Sequence, residues 1–383
     1  MNQFPAPPDL LSIRERSPWS RFLWLVVAGW SSGCFAAYVV HGGTSWHYFQ
    51  QGQQALADLD DHVSGGLHLY AALPFLQIGP VTFVAGLLTA PFGPRALLVA
   101  QLFGMAAGAA ILRLVRDLAA RTRPDLDPAD LDRRTLLAAL FFIPVWAYLA
   151  VSVTHLDDVL ALLFAMLGLR AVVMGRQLLA GVLLALAVDA KPWALPFACL
   201  LLLLPAGRRR NAALAYAGIL AAAWLPFLLG DPGTLNALRF TIPNTPFSAL
   251  QVLGVHAPRT PSWDRPAQFA VGVGVSLVAL ARRRWALAIL GVIAARVALD
   301  PGTNHYYAAG VLVGAVLWDV VGSRFRLPWW SGTAFVGLFL LRAFPLPPYV
   351  NGVVTLAFFA GVCVMAAVPR RTAAIQAGSN LPA

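Results

Sequence analysis

Apolar runs of about twenty residues, the length that crosses a bilayer as a helix, follow one another almost from end to end of the chain. The first covers residues 22–40 and is preceded by a polar, Pro-rich stretch carrying Arg14, Arg16 and Arg21. It is too long for the apolar core of a signal peptide, so the pattern predicts an uncleaved first span with a cytoplasmic N-terminus. Later runs are bounded by Arg turns at Arg176, Arg208-Arg209-Arg210, Arg282-Arg283-Arg284, Arg324 and Arg326, and Arg370-Arg371. Each pair of turns brackets enough chain for two crossings, and placing every Arg turn inside gives a consistent alternation. Residues 42–70, 154–158, 189–193, 230–268, 300–307 and 345–349 then fall outside.

Two stretches break this rhythm. Pro91-Phe92-Gly93-Pro94 divides residues 73–115, so that one piece is expected to be short or re-entrant. Residues 178–205 must cross twice between two Arg turns, which makes each half shorter than the ~20 residues of a lipid-exposed span. The halves meet at Asp189-Ala190-Lys191-Pro192, and charge at that depth requires surrounding protein or water, implying a cavity at their tips. The expected architecture is all-α: a polytopic bundle of about 11 to 13 transmembrane helices, with a cytoplasmic segment 1–20, a membrane domain 21–368 and a cytoplasmic tail 369–383. The location implied is the plasma membrane.

Composition sharpens the picture. The chain is 59% hydrophobic and 12% charged, with mean hydropathy +0.69, whereas soluble domains carry about 25% charged residues. A soluble or disordered chain is excluded. The net charge of +11 sits in short blocks between apolar runs, which reads as an orientation device and not as a nucleic-acid footprint. Cys34, Cys199 and Cys363 lie in apolar stretches without metal-ligand spacing and read as small core residues. Walker A, GxGxxG, HExxH, CxxC and GxSxG patterns are absent, which argues against a P-loop pump or a motif-borne hydrolase.

Chemistry gathers in the outer turns, which hold all seven His and the chain's single Lys, Lys191. In the first of them, Trp46-His47-Tyr48-Phe49 predicts a helix lying on the membrane with its aromatics at headgroup level. Asp58, Asp60, Asp61 and His62 follow, able to supply a general base, to hold a divalent cation, or simply to solvate a loop. His155-Leu156-Asp157-Asp158 opens an apolar helix, with Thr154 as candidate N-cap; two carboxylates and a His exceed what capping needs. Lys191 could meet a phosphate or pair with Asp189, and Arg239, Arg265, Arg296 and His305 are further cations for the same anion. His305-Tyr306-Tyr307 follows a turn at Asp300-Pro301-Gly302 and either anchors a helix end or orients a ligand.

Taken together, three stretches resemble the GT-C superfamily of polyprenyl-phosphate-sugar-dependent glycosyltransferases, most closely the bacterial alpha-mannosyltransferases of glycosyltransferase family 87. They are the long outer segment reaching Tyr70 and Pro80, the turn at residues 154–158, and AGVLLALAVDAKPWALPF, residues 180–197. The resemblance implies a lateral groove for a lipid-linked sugar donor, a lipid or glycan acceptor, and a catalytic acid in the first outer loop. That family acid would fall near Ser45, where this chain has none. Asp58, Asp61, Asp157 or Asp158 would then serve as base, with His47 as partner, and Lys191, His305, Arg296 and Arg265 would receive the lipid phosphate. A lipid-linked sugar flippase or other transporter would use similar charges without a catalytic acid, and a membrane scaffold is the third reading.

Overall fold

The computed structural model describes residues 18–368; the expected cytoplasmic tail and most of the N-terminal segment lie outside that range. Among the described residues the chain is helical throughout, with one isolated bridge between Pro243 and Arg259. Helix α1 (Pro18–Val39) matches the first predicted span and is followed by α2 (Trp46–Ala57), the short α3 (Leu69–Ala72) and α4 (Pro80–Leu87). Next come α5 (Ala96–Thr122), α6 (Pro128–Ala147), α7 (Leu156–Val173) and α8 (Gln177–Ala190). A 3₁₀ helix (Pro192–Leu203) leads to α9 (Ala206–Gly230), α10 (Ala249–Val252), α11 (Asp264–Ala281), α12 (Ala288–Leu299), α13 (Tyr307–Leu317), α14 (Trp329–Ala334) and α15 (Pro348–Ala367).

Five helical segments are long and apolar enough to cross a membrane: those built on α1, α5, α6, α9 and α15. Four more apolar segments, α8, the 3₁₀ helix and those containing α12 and α13, are shorter. Two kinds of apolar helix are visible. Every residue of α13 is buried, whereas only 17% of the α1 window and 11% of the α9 window is covered by the rest of the protein. Exposed Leu25, Trp30, Leu214 and Leu229 on such helices need an apolar solvent, which marks a membrane protein.

Local sequence explains the helix ends. Pro128 occupies the first turn of α6, where its missing N–H costs nothing, and the Asp127 carboxylate accepts from Ala129 N at 3.3 Å. Pro144 lies within α6, and the helix then continues as a π-helical turn, Tyr148–Val153. The 3₁₀ helix contains Pro192 and Pro196. With 2.0 Å rise per residue it reaches about 24 Å, and α8 at 1.5 Å reaches about 21 Å, so both halves fall short of the ~30 Å hydrocarbon core.

An ion pair of Arg116 with Asp132 joins α5 to α6. Helix α4 approaches the α8 tip so closely that Gly79 N and Thr82 Oγ1 both donate to the Ala190 carbonyl, at 2.9 and 3.1 Å, while Lys191, Pro192 and Trp193 stay partly exposed. Helix α4, with eight residues, is the short piece that the Pro91 to Pro94 interruption foreshadowed. Helix α2 forms as predicted, but Trp46 and Phe49 are buried in the protein, leaving His47 and Tyr48 exposed. Cys34 is buried as expected, while Cys199 and Cys363 are only partly so.

Candidate functional site

Charges separate to two ends of the bundle. Arg123 donates to the carbonyls of Val321 and Ser323, Arg134 to Ser323, and Arg208 to Gly175, which gathers arginines around helix ends. At the other ends of the same helices, acids, His and Lys191 meet.

The centre of that meeting is the N-terminus of α7. Thr154 does not cap it: its backbone is left-handed (φ 57°) and its hydroxyl donates to Val151 O at 2.8 Å, turning the chain out of the π-helical turn. His155 occupies the cap position, and Asp157 and Asp158 stand in the first turn where the helix dipole favours them. Asp157 is fully buried. Its Oδ1 receives His155 Nδ1 at 3.1 Å and Asp158 N at 2.9 Å, and its Oδ2 receives the Lys191 ammonium.

Lys191 therefore pairs across helices with Asp157 and not with its neighbour Asp189. The residue links α8 to the 3₁₀ helix, and its extended backbone (φ −148°, ψ 115°) is no longer helical. Asp189 instead accepts from Trp224 Nε1 on α9 at 3.0 Å.

Asp158 takes Trp193 Nε1 at 2.7 Å on Oδ1, with Arg296 Nη1 3.8 Å from the same oxygen. Its Oδ2 is buried without a hydrogen-bond donor, 3.7 Å from His155 Nδ1. Arg296, on α12, is held between the Trp193 and Tyr307 rings at 4.5 and 4.7 Å, an arrangement that suits a planar guanidinium. Its Nε lies 3.9 Å from Asp300, whose Oδ1 accepts from Gly302 N. The His155 ring stacks on Tyr306 at 4.1 Å, and its Nε2 faces Ser45 Oγ at 3.2 Å. His155, Asp157 and Asp158 offer ligand atoms within 4.8 Å of one another, a donor set able to hold a cation.

Not all candidate residues join this cluster. Asp61 is held below the usual carboxylate range by the Ser64 hydroxyl and by the Val63 and Ser64 N–H groups of its own turn. Asp58 accepts from Asp61 N in that turn, and His47 packs against Tyr48. His305 lies beside the Tyr148 and Phe339 rings. Arg265 donates to the carbonyls of Leu238 and Phe240. Of the proposed set, Asp157, Asp158, Lys191 and Arg296 form this cluster, while Asp58 and Asp61 meet each other in their own turn.

Ser45, Trp193, Asp300 and Arg342 were not predicted as site residues. Trp193 could have been read from Lys191-Pro192-Trp193 as an indole two residues beyond the lone Lys. Arg342, which donates to Asn304 O at 3.1 Å, follows an apolar run with no local motif. Comparison of the chain with protein-family models, curated proteins and solved structures finds no match.

Proposed function

We propose that this chain is an integral membrane glycosyltransferase that moves a sugar, mannose-like by the family resemblance, from a polyprenyl-phosphate donor to a lipid or glycan acceptor. The observation that carries the reading is the junction at the α7 N-terminus, where two adjacent carboxylates meet a Lys and an Arg from other helices. Such a junction supplies both requirements of the reaction: a proton acceptor and cations for the departing phosphate.

In this reading the acceptor hydroxyl attacks the anomeric carbon as the bond to the phosphate oxygen breaks. The hydroxyl proton passes to Asp158, whose Oδ2 has no donor. The phosphate leaves against Lys191 and Arg296. The Asp157 bond uses one ammonium hydrogen of Lys191 and leaves two for oxygen ligands. Arg265 and Arg342 add positive charge near Asp300, which neighbours Arg296.

Topology follows the same logic. In this reading the five long helices cross the membrane together with α7, α8, the 3₁₀ helix, α11, α12, α13 and the segment begun by α14, twelve crossings in all. Twelve returns both termini to the side of the Arg turns, taken as cytoplasmic, with the Asp157 cluster outside in a plasma membrane. Release of polyprenyl phosphate from a labelled lipid-linked sugar by protein in lipid tests the reading. Wild-type release that is lost in Asp158→Asn supports it. Tight donor binding without release in any acceptor extract favours lipid-linked sugar transport.

A further inference from the structure

The end of the bundle opposite the Asp157 cluster contains a cleft of about 470 Å³, the size range of small-ligand sites. Thr122, Arg123, Asp125, Arg134, Gly322 and Arg324 line it, three arginines against one aspartate. A smaller adjoining hollow shares Thr122, Arg123 and Gly322 and adds Arg283 and Arg284. The cationic surface thus draws on four separate stretches of chain.

Arg134 makes the cleft more than a patch of surface charge. Its residue is 7% exposed, its Nη1 donates to Ser323 O at 3.2 Å, and its Nε is buried without a partner. A buried guanidinium hydrogen without an acceptor is costly, and because Arg134 lines the cleft, a small shift of its side chain would bring that hydrogen to an anionic oxygen there. Asp125 is taken by Arg123, through Nε and Nη2 at 2.9 Å each. Asp319 is occupied by the Trp330 and Ser331 N–H groups and the Ser331 hydroxyl. Asp130 is the remaining acid that acts on Arg134, and Arg123 and Arg326 oppose it.

The rim argues for the source of that anion. Arg324-Phe325-Arg326-Leu327-Pro328-Trp329 exposes Phe325 (66%) and Trp329 (58%) beside the cleft's arginine. Alternating cations and large apolar side chains suit the boundary between headgroups and acyl chains. We propose that this cleft binds the phosphate of an anionic membrane phospholipid, as a site separate from the sugar-transfer junction.

The test uses the full-length protein purified in detergent and titrated with short-chain phosphatidylglycerol or phosphatidylcholine, with inorganic phosphate as competitor. Wild type should prefer phosphatidylglycerol, and Arg134→Gln and Arg324→Gln should each weaken it about tenfold, a loss suited to one charge-assisted contact. Arg324 is exposed, so its variant remains informative if Arg134→Gln folds poorly. Arg210→Gln, in another inner turn, should bind as wild type does. Equal binding by the cleft variants, or equal loss in Arg210→Gln, overturns the proposal. So does displacement of the lipid by millimolar inorganic phosphate, which would assign the cleft to a soluble anion.

Discussion

The Lys191 ammonium and the Asp157 carboxylate, 34 positions apart, form an ion pair with almost no exposure, fastening the end of α8 to the start of α7. Removing one partner strands the other charge away from water, which costs about 3–5 kcal/mol. Asp157→Asn and Lys191→Met should each lower the unfolding midpoint in detergent, and the double variant should be less destabilised than either. Additive losses would show that the pair is not the coupling element.

Asp158 sits beside that pair yet keeps one oxygen free of donors. Asp158→Asn preserves an acceptor for Trp193 Nε1, and Asp300 still faces the Arg296 charge, so the variant should fold. If Asp158 takes the acceptor proton, turnover falls about 10²–10⁴-fold with little change in donor affinity. Measured kcat and KM for donor hydrolysis or transfer decide this; a change confined to KM would make Asp158 a positioning residue for Trp193 and Arg296.

Much of the bundle is legible in the sequence because apolar length and Arg turns are local properties. The first span, the helix α2, the short α4 and the shortened α8 pair all follow from runs, prolines and spacing. Pairing is not legible in this way. Asp189 and Lys191 are neighbours in sequence, but a backbone that leaves the helix at Lys191 sends their side chains to α9 and α7 respectively. Likewise the first-loop acids look as chemical as Asp157 in sequence, and only the turn around Ser64 reveals that Asp61 is engaged locally.

Gly79 marks the closest approach of α4 to the α8 tip. A Cβ there would lie 1.9 Å from Asp189 O, which is backbone and cannot move aside cheaply. Gly79→Ala should therefore destabilise the protein by about 1–3 kcal/mol, as overpacking does, and loosen the Lys191 junction that α8 carries. Thermal unfolding checks the first effect, and protease susceptibility near Lys191 checks the second. An unchanged midpoint would mean that α4 can withdraw without cost.

Asp231 joins the segment after α1 to the end of α9 through His68 Nδ1 at 2.9 Å. This contact, followed by the Gly233 N–H, holds its carboxyl below the ordinary range. A depressed folded-state value stabilises the fold above the unfolded value and loses that contribution as pH falls through the folded one. The midpoint difference between wild type and Asp231→Asn should be present near neutral pH and close as pH falls below about 4. A difference that persists unchanged in acid would remove the carboxylate from the explanation.

Ser45 stands where the resemblance expects an acid, and its hydroxyl faces His155, which Asp157 supports from the other side. A hydroxyl, imidazole and carboxylate in this order also occur in nucleophilic catalysis, where geometry and not a motif identifies them. The two chemistries make different demands on the serine. As part of a sugar-transfer site it only orients His155, so Ser45→Ala loses a neutral hydrogen bond and should slow turnover about threefold to tenfold. As a nucleophile its removal would abolish turnover, and wild type would form a covalent adduct with a fluorophosphonate probe. Near-normal sugar transfer by Ser45→Ala and no adduct in wild type would assign the hydroxyl to positioning, whereas abolition with labelling would replace the glycosyltransferase reading by acyl transfer at the same junction.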